Sequence, residues 1–153
     1  MVPSAMKFEF SNVRTDGELR TKWDALLRIV GDFAFWVRGR VLYKEVDFCL
    51  VEFAIAMTNW LAIAPLLRPD FIYTSLESEI EGLVGFTRLG PGSWRVSAAY
   101  QDQPSTDSFT TEELEAAALT YISALREHLL PKLDILDCVE NPIVRQALYE
   151  KLG

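Results

Sequence analysis

The chain has 153 residues, of which 50% are hydrophobic and 12% aromatic, and its formal net charge is −7. This length predicts one domain with its own hydrophobic core, and the composition excludes an intrinsically disordered chain. The negative charge disfavours binding to nucleic acid or to an anionic membrane, because both are themselves negatively charged.

The N-terminal part of the chain begins with a predicted extension and a predicted strand. Residues 1–5 lack a basic region followed by an apolar one, so we expect a short disordered extension, no secretory signal and a cytoplasmic location. Lys7–Arg14 alternates apolar and polar residues, with Phe8 and Phe10 on one side, which is typical of a half-buried strand.

A helix and a hairpin are predicted next. Thr15 and Glu18 have the spacing of a capping box, and Gly31 is a suitable residue to follow the end of the helix. The apolar positions at helical intervals are Leu19, Trp23, Leu26 and Val30. Phe33–Val37 and Val41–Glu45 flank a short turn that contains a glycine, which predicts a β-hairpin.

The least polar stretch of the chain, Phe48–Ala64, predicts a buried central helix. Asp47 is a plausible N-cap, and Pro65 cannot continue the helix. The stretch is slightly short for a membrane span, and Glu52 would be costly inside a membrane. Cys49 is expected to be a small buried hydrophobic residue within this helix.

The second half of the chain predicts more strands followed by helices. Phe71–Gly82 is interpreted as a strand, and Thr110 with Glu113 forms a second capping box. The remaining predicted elements are a hairpin of Gly82–Leu89 and Ser93–Gln101, a linker at 102–108, a helix ending at Pro131, and a last helix over Pro142–Leu152. Hairpins with covering helices indicate an α+β fold, with one mostly antiparallel sheet of about six strands and helices packed on one face.

Three acidic residues, Glu77, Glu79 and Glu81, are the first candidates for a site. In a strand, their carboxylates would point the same way and form a ladder. The ladder could capture a divalent cation, bind a basic partner, or simply form an exposed strand face paired with arginines. A cation site is disfavoured because one strand cannot supply converging ligands, so we predict no metal and no cofactor.

Four further residues have more than one interpretation. Glu52 lies between apolar neighbours and is either a desolvated general acid or base, or a polar group hydrogen-bonded to the sheet. Trp36 alternates away from its apolar neighbours and, with Tyr73, is a candidate anchor for a partner. His128 is the only histidine and is expected to be a surface or half-buried residue rather than part of a catalytic triad. Cys138 and Cys49 do not make a disulfide framework or a metal site.

Three stretches between Met6 and Gln101 carry a resemblance, namely FCLVEFAIAMTNWL, DFIYTSLESEIEG and GSWRVSAAYQ. Together they resemble small bacterial domains associated with polymorphic-toxin immunity proteins. The resemblance implies a small, acidic, cytoplasmic α+β domain that binds and blocks a toxin without catalysing a reaction. It carries over no functional residues.

We therefore predict a non-enzymatic protein-binding module, of the immunity type if its partner is a basic toxin. Glu77, Glu79 and Glu81 would steer the partner, and Trp36 and Tyr73 would anchor it. The alternatives are a small enzyme that uses Glu52 or a metal at the three glutamates, and a homodimer formed through an open sheet face or edge strand.

Overall fold

A computed structural model of the chain describes residues 5–17, 24, 27–78, 80–100 and 107–129. The strands form two antiparallel sheets, one of three strands and one of four, and a single hydrophobic core contains side chains from both sheets and both helices. The predicted α+β class is confirmed, with the strands divided between two sheets rather than one. In the described part of the chain, no helix is long and apolar enough to cross a membrane.

The first sheet contains three strands in chain order. They are β1 (Met6–Thr15), β2 (Ile29–Val37) and β3 (Arg40–Cys49). The predicted hairpin is confirmed, because β2 and β3 are joined by Arg38 and Gly39, which have φ angles of 48° and 80°. Positive φ at both central residues gives the turn a twist that matches its flanking strands. Gly39 adopts this conformation without the steric cost of a side chain.

The first predicted helix is corrected at its end. Asp24 and Leu27 are helical, whereas Glu18, Leu19, Trp23 and Leu26 lie outside the described residues. Val30 and Gly31 belong to β2, so Gly31 does not end a helix. A Cβ at Gly31 would lie 2.8 Å from Leu50 Cδ1 and 2.9 Å from the carbonyl oxygen of Ser11. The glycine is therefore needed for close packing.

The central helix, α1, is shorter than predicted and spans Leu50–Leu61. Phe48 and Cys49 still belong to β3, and Asp47 is not an N-cap. Instead, the Asp47 carboxylate accepts a hydrogen bond of 2.5 Å from the Arg14 guanidinium on β1. The helix buries Leu50, Phe53, Met57 and Trp60, which lie on one face at helical spacing.

The second sheet contains β4 (Phe71–Tyr73), β5 (Val84–Gly90), β6 (Ser93–Ala98) and β7 (Ser108–Thr110), in that order. The hairpin of β5 and β6 is confirmed, whereas the strand predicted over Phe71–Gly82 ends at Tyr73. The Ser75 hydroxyl accepts a hydrogen bond from the Glu77 amide, and the Ser78 hydroxyl accepts one from the Ile80 amide. Such local bonds offer the backbone an alternative to pairing in a sheet.

The second helix, α2, spans Thr111–Leu129, and its predicted capping box is confirmed. The Thr110 amide donates to Glu113 Oε1 at 3.0 Å, and the Glu113 amide donates to Thr110 Oγ1 at 3.1 Å. Its buried stripe contains Leu114, Ala118, Tyr121, Leu125 and Leu129. Gln101, residues 102–106 of the linker, Pro131, Cys138 and the predicted helix Pro142–Leu152 lie outside the described residues.

Arg68 fastens the end of α1 to α2. Its guanidinium donates to the carbonyl oxygens of Leu61 and Ile63 at 3.0 and 2.9 Å, and to Glu115 Oε1 at 2.9 Å. It also lies 4.8 Å from the centre of the Trp60 ring. The Arg68 side chain is only 4% exposed. Buried charge is tolerated here because carbonyls at the end of a helix and a carboxylate accept its hydrogen bonds.

We expect Arg68→Met to lower the free energy of unfolding by about 3 kcal/mol, because it leaves helix carbonyls without their donors. Urea unfolding would measure the change. The exposed Arg95 offers a matched control, and Arg95→Met should stay within about 0.5 kcal/mol of the parent chain. Equal effects of the two substitutions would contradict the role given to Arg68.

Candidate functional site

The candidate site is a small acidic recess where β3 of the first sheet meets the segment that follows β4 of the second. Its volume is about 50 Å³. The carboxylates that line it belong to Glu45, Asp47 and Glu77. Two of them come from one strand and the third from a turn some 30 residues away, so only the folded chain brings them together.

The floor of the recess is polar and held by α1. Tyr73 and Ser75 line it, and both are buried. The Tyr73 hydroxyl donates to Glu52 Oε1 at 2.7 Å, and the amide of Leu76 donates to Glu52 Oε2 at 3.2 Å. Glu52 is 8% exposed, and each of its two oxygens accepts a hydrogen bond. Of the two interpretations of Glu52, the structure shows the group hydrogen-bonded to the sheet.

The acid and phenol groups around the recess influence one another. Burial, and then the neighbouring Glu52 carboxylate, raise the pKa of Tyr73 above its ordinary value. Burial likewise raises the pKa of Tyr43, whose hydroxyl is hydrogen-bonded to Glu45. Both phenols are therefore protonated at neutral pH and can donate hydrogen bonds to carboxylates.

Cys49 lies beside the floor of the recess and is buried, as predicted, although it ends β3 rather than lying in a helix. The Ser75 hydroxyl donates to Cys49 Sγ at 3.6 Å, and the thiol donates to the Leu27 carbonyl oxygen at 3.6 Å. Burial raises the pKa of the Cys49 thiol to about 11. At neutral pH the group is a thiol, whereas the thiolate is the form that acts as a nucleophile or metal ligand.

The structure separates the three glutamates of the predicted ladder. Glu77 lies in the turn after β4 and lines the recess, Glu81 lies in a bend and does not line it, and Glu79 lies outside the described residues. The ladder prediction is wrong in its geometry because the chain leaves the sheet at Thr74. Within the described ranges, no group of three or more His, Cys, Asp or Glu side chains is arranged to hold a metal ion.

The two predicted aromatic anchors lie in different places. Tyr73, predicted as an anchor for a partner, is 2% exposed and lies at the floor of the recess. Trp36 points away from the buried Phe35 and Val37, as predicted, and is half-buried on the outer face of the first sheet. Its ring lies 5.3 Å from Lys7 Nζ. The alternation of apolar and polar residues in the sequence does not distinguish the buried position of Tyr73 from the outer-face position of Trp36.

His128 is half-buried in the last turn of α2, as predicted, with its ring 5.9 Å from that of Phe10. Sequence reasoning missed Glu45, Asp47 and Ser75. A weak signal for the first two exists, because Tyr43, Glu45 and Asp47 recur at every second position of β3 and such residues share a face of a strand.

We expect Tyr73→Phe to lower the free energy of unfolding by about 2 kcal/mol, because it removes a hydrogen bond to a buried carboxylate. Chemical denaturation would measure the loss. Tyr100 is exposed, so Tyr100→Phe is a matched control with an expected change within about 0.5 kcal/mol. A parent-like stability of Tyr73→Phe would show that Glu52 does not depend on this donor.

Comparison with known proteins gives one family. Residues 6–131 match the family described as Domain of unknown function (DUF7878). No curated protein and no solved structure matches the chain. Because the matched residues cover most of the chain, the protein belongs to the DUF7878 family.

Proposed function

We propose that the protein is an acidic binding module whose recess accepts a basic side chain of a partner protein. The observation that carries the proposal is the convergence of Glu45, Asp47 and Glu77 on one recess in a chain of net charge −7. This revises the partner-binding set predicted from the sequence. Glu77 remains on the binding surface, and Tyr73 becomes its support rather than its anchor.

The charges around the recess favour a cationic occupant. Arg14 is hydrogen-bonded to Asp47, while the Glu45 carboxylate takes a hydrogen bond from the neutral Tyr43. The lining of the recess thus holds three carboxylates, one of which is paired with Arg14. A cation that enters the recess is attracted by these carboxylates.

The size of the recess supports a side chain rather than a larger ligand. About 50 Å³ accommodates a few water molecules or one ammonium or guanidinium group, but not a nucleotide or a sugar. A lysine or arginine would leave its apolar stem at the mouth of the recess. Complementary charge of this kind raises the rate of association and selects among partners.

An immunity-type function, in which the basic partner is a toxin, is the specific form of this proposal. It rests on the resemblance carried by the three sequence stretches and on the acidic balance of the chain. Blocking a partner in this way requires binding alone. The recess can provide binding although its described residues include neither a thiolate nor a cluster of metal ligands.

The recess can be tested with a fluorescently labelled hexalysine peptide as the probe. The variant Glu45→Gln/Asp47→Asn/Glu77→Gln removes three charges at the recess. The control Glu9→Gln/Glu112→Gln/Glu127→Gln removes three exposed charges elsewhere, so both lose the same net charge. We expect binding measured by anisotropy to weaken about tenfold in the recess variant and less than about threefold in the control.

Equal weakening in the two variants would contradict the proposal, because it would mean that the overall charge of the chain attracts the peptide and the recess does not. Thermal melts of both variants check that each remains folded. Raising the salt concentration should narrow the difference between the parent chain and the recess variant, since exposed charge interactions are screened.

A further inference from the structure

A second concave surface lies at the opposite edge of the first sheet, between β1 and the start of α2. Its volume is about 180 Å³. One wall is formed by four consecutive residues, 5–8, and the other by Glu113, Ala116, Ala117 and Thr120. We call this surface the β1–α2 groove. It shares no residue with the acidic recess.

The strand side of the groove is an edge of a sheet. Among the described strands, β1 pairs with β2 alone. Side chains of consecutive strand residues point to opposite faces, so a lining that includes Met6, Lys7 and Phe8 lies at the edge of the strand rather than on one of its faces. The groove therefore runs along backbone rather than along one face of side chains.

The hydrogen-bond pattern identifies which backbone groups face the groove. Met6 is opposite Val37 in the register of β1 and β2, and the Arg38 amide donates to the Ala5 carbonyl oxygen at 2.8 Å. In an antiparallel pair, residues alternate between those bonded to the neighbouring strand and those that point away from it. Because Ala5 is bonded to Arg38, directly after β2, the alternation directs the N–H and C=O groups of Met6 and Phe8 away from β2.

The helix side of the groove is shaped to leave space. Its four residues follow the spacing i, i+3, i+4 and i+7, which places them on one face of α2. The two alanines at the centre, Ala116 and Ala117, have short side chains, so they leave a gap between the helix and the strand edge. An extended backbone can enter such a space, whereas long side chains at these positions would close it.

Charge indicates which segment fits. The Glu113 carboxylate lies at the groove and, through the capping box, is held in place by the Thr110 amide. Lys7, the basic residue of the strand wall, is paired with Glu9 at 3.2 Å. A basic side chain entering the groove would thus meet a fixed carboxylate at the beginning of α2.

We propose that the β1–α2 groove binds an extended, basic segment of a partner protein as an added strand on β1. The segment would pair its backbone with Met6 and Phe8 and place a lysine or arginine near Glu113. Residues 5–8, of which Met6, Lys7 and Phe8 belong to β1, line the groove and correspond to about 13 Å of extended chain. Strand addition of this kind takes affinity from backbone hydrogen bonds and specificity from alternate side chains.

The probe is a phage-displayed library of random heptapeptides, selected on the parent chain. Ala116→Trp fills the groove from an exposed position, and Leu119→Trp adds the same ring at an exposed position of α2 outside the groove. Glu113→Gln removes the charge while glutamine can still complete the capping box. The selected peptides should contain lysine or arginine. They should bind the Ala116→Trp variant at least about tenfold more weakly than the parent chain, and the Leu119→Trp variant as tightly as the parent chain.

Methylation of peptide amides separates strand addition from binding by side chains, and it uses the parent protein. A selected peptide is synthesised with N-methyl groups at alternate residues, in the two possible phases. Only the phase that faces β1 should abolish binding, because the other phase faces away from the strand. Glu113→Gln should weaken binding about threefold without changing this pattern.

Several results would overturn the proposal. These are a library that yields no enriched peptide, peptides that bind Ala116→Trp as tightly as the parent chain, and peptides that tolerate either phase of methylation. A dimer of the parent chain that Ala116→Trp dissociates in light scattering would also overturn it, because the occupant would then be a second copy. The recess variant should bind the selected peptides with the affinity of the parent chain. A failure of the groove proposal can therefore be distinguished from a failure of the proposed function of the recess.

Discussion

The ring of Phe53 is the place where all the layers of the protein meet. Its centre lies 5.2 and 5.4 Å from the ring centres of Phe8 and Phe33 in the first sheet. The ring centres of Phe71 and Tyr73 in the second sheet are 6.3 and 4.9 Å away. The Tyr121 ring of α2 is 5.3 Å away. Aromatic pairs at these separations contribute beyond their buried area, so one side chain of α1 joins two sheets and a second helix.

The same helix connects this core to the candidate site. Glu52 precedes Phe53, and about 100° of helix rotation separates consecutive side chains. When Phe53 enters the core, Glu52 is directed to Tyr73 and to the turn that carries Glu77. The acidic recess depends on this arrangement, since Glu45 and Asp47 belong to one sheet and Glu77 follows a strand of the other. The groove at β1 lies on the far edge of the first sheet and depends on α2 instead.

Features set by neighbours in the sequence could be predicted, and those set by distant residues could not. The capping box of Thr110 and Glu113 and the hairpin turn at Gly39 are local, and both are present. From the sequence, Gly31 fits the end of a helix, because no neighbouring residue indicates that Leu50 and Ser11 approach it closely in the fold. The glutamate ladder failed because hydroxyls of Ser75 and Ser78 bind the backbone locally and end the strand that alternation suggested. The recess itself could not be predicted, because its carboxylates meet only after both sheets have packed on α1.

Native-state hydrogen exchange of Phe53→Ala tests most directly whether the two sheets form one cooperative unit through Phe53. The substitution removes a fully buried ring and should destabilise the fold by about 3–5 kcal/mol. We predict that the slowest amides of β2 in the first sheet and of β6 in the second lose protection by the same free energy, because they open together. Loss of protection in one sheet, with the other unchanged, would show that the sheets are stable separately and would contradict the account.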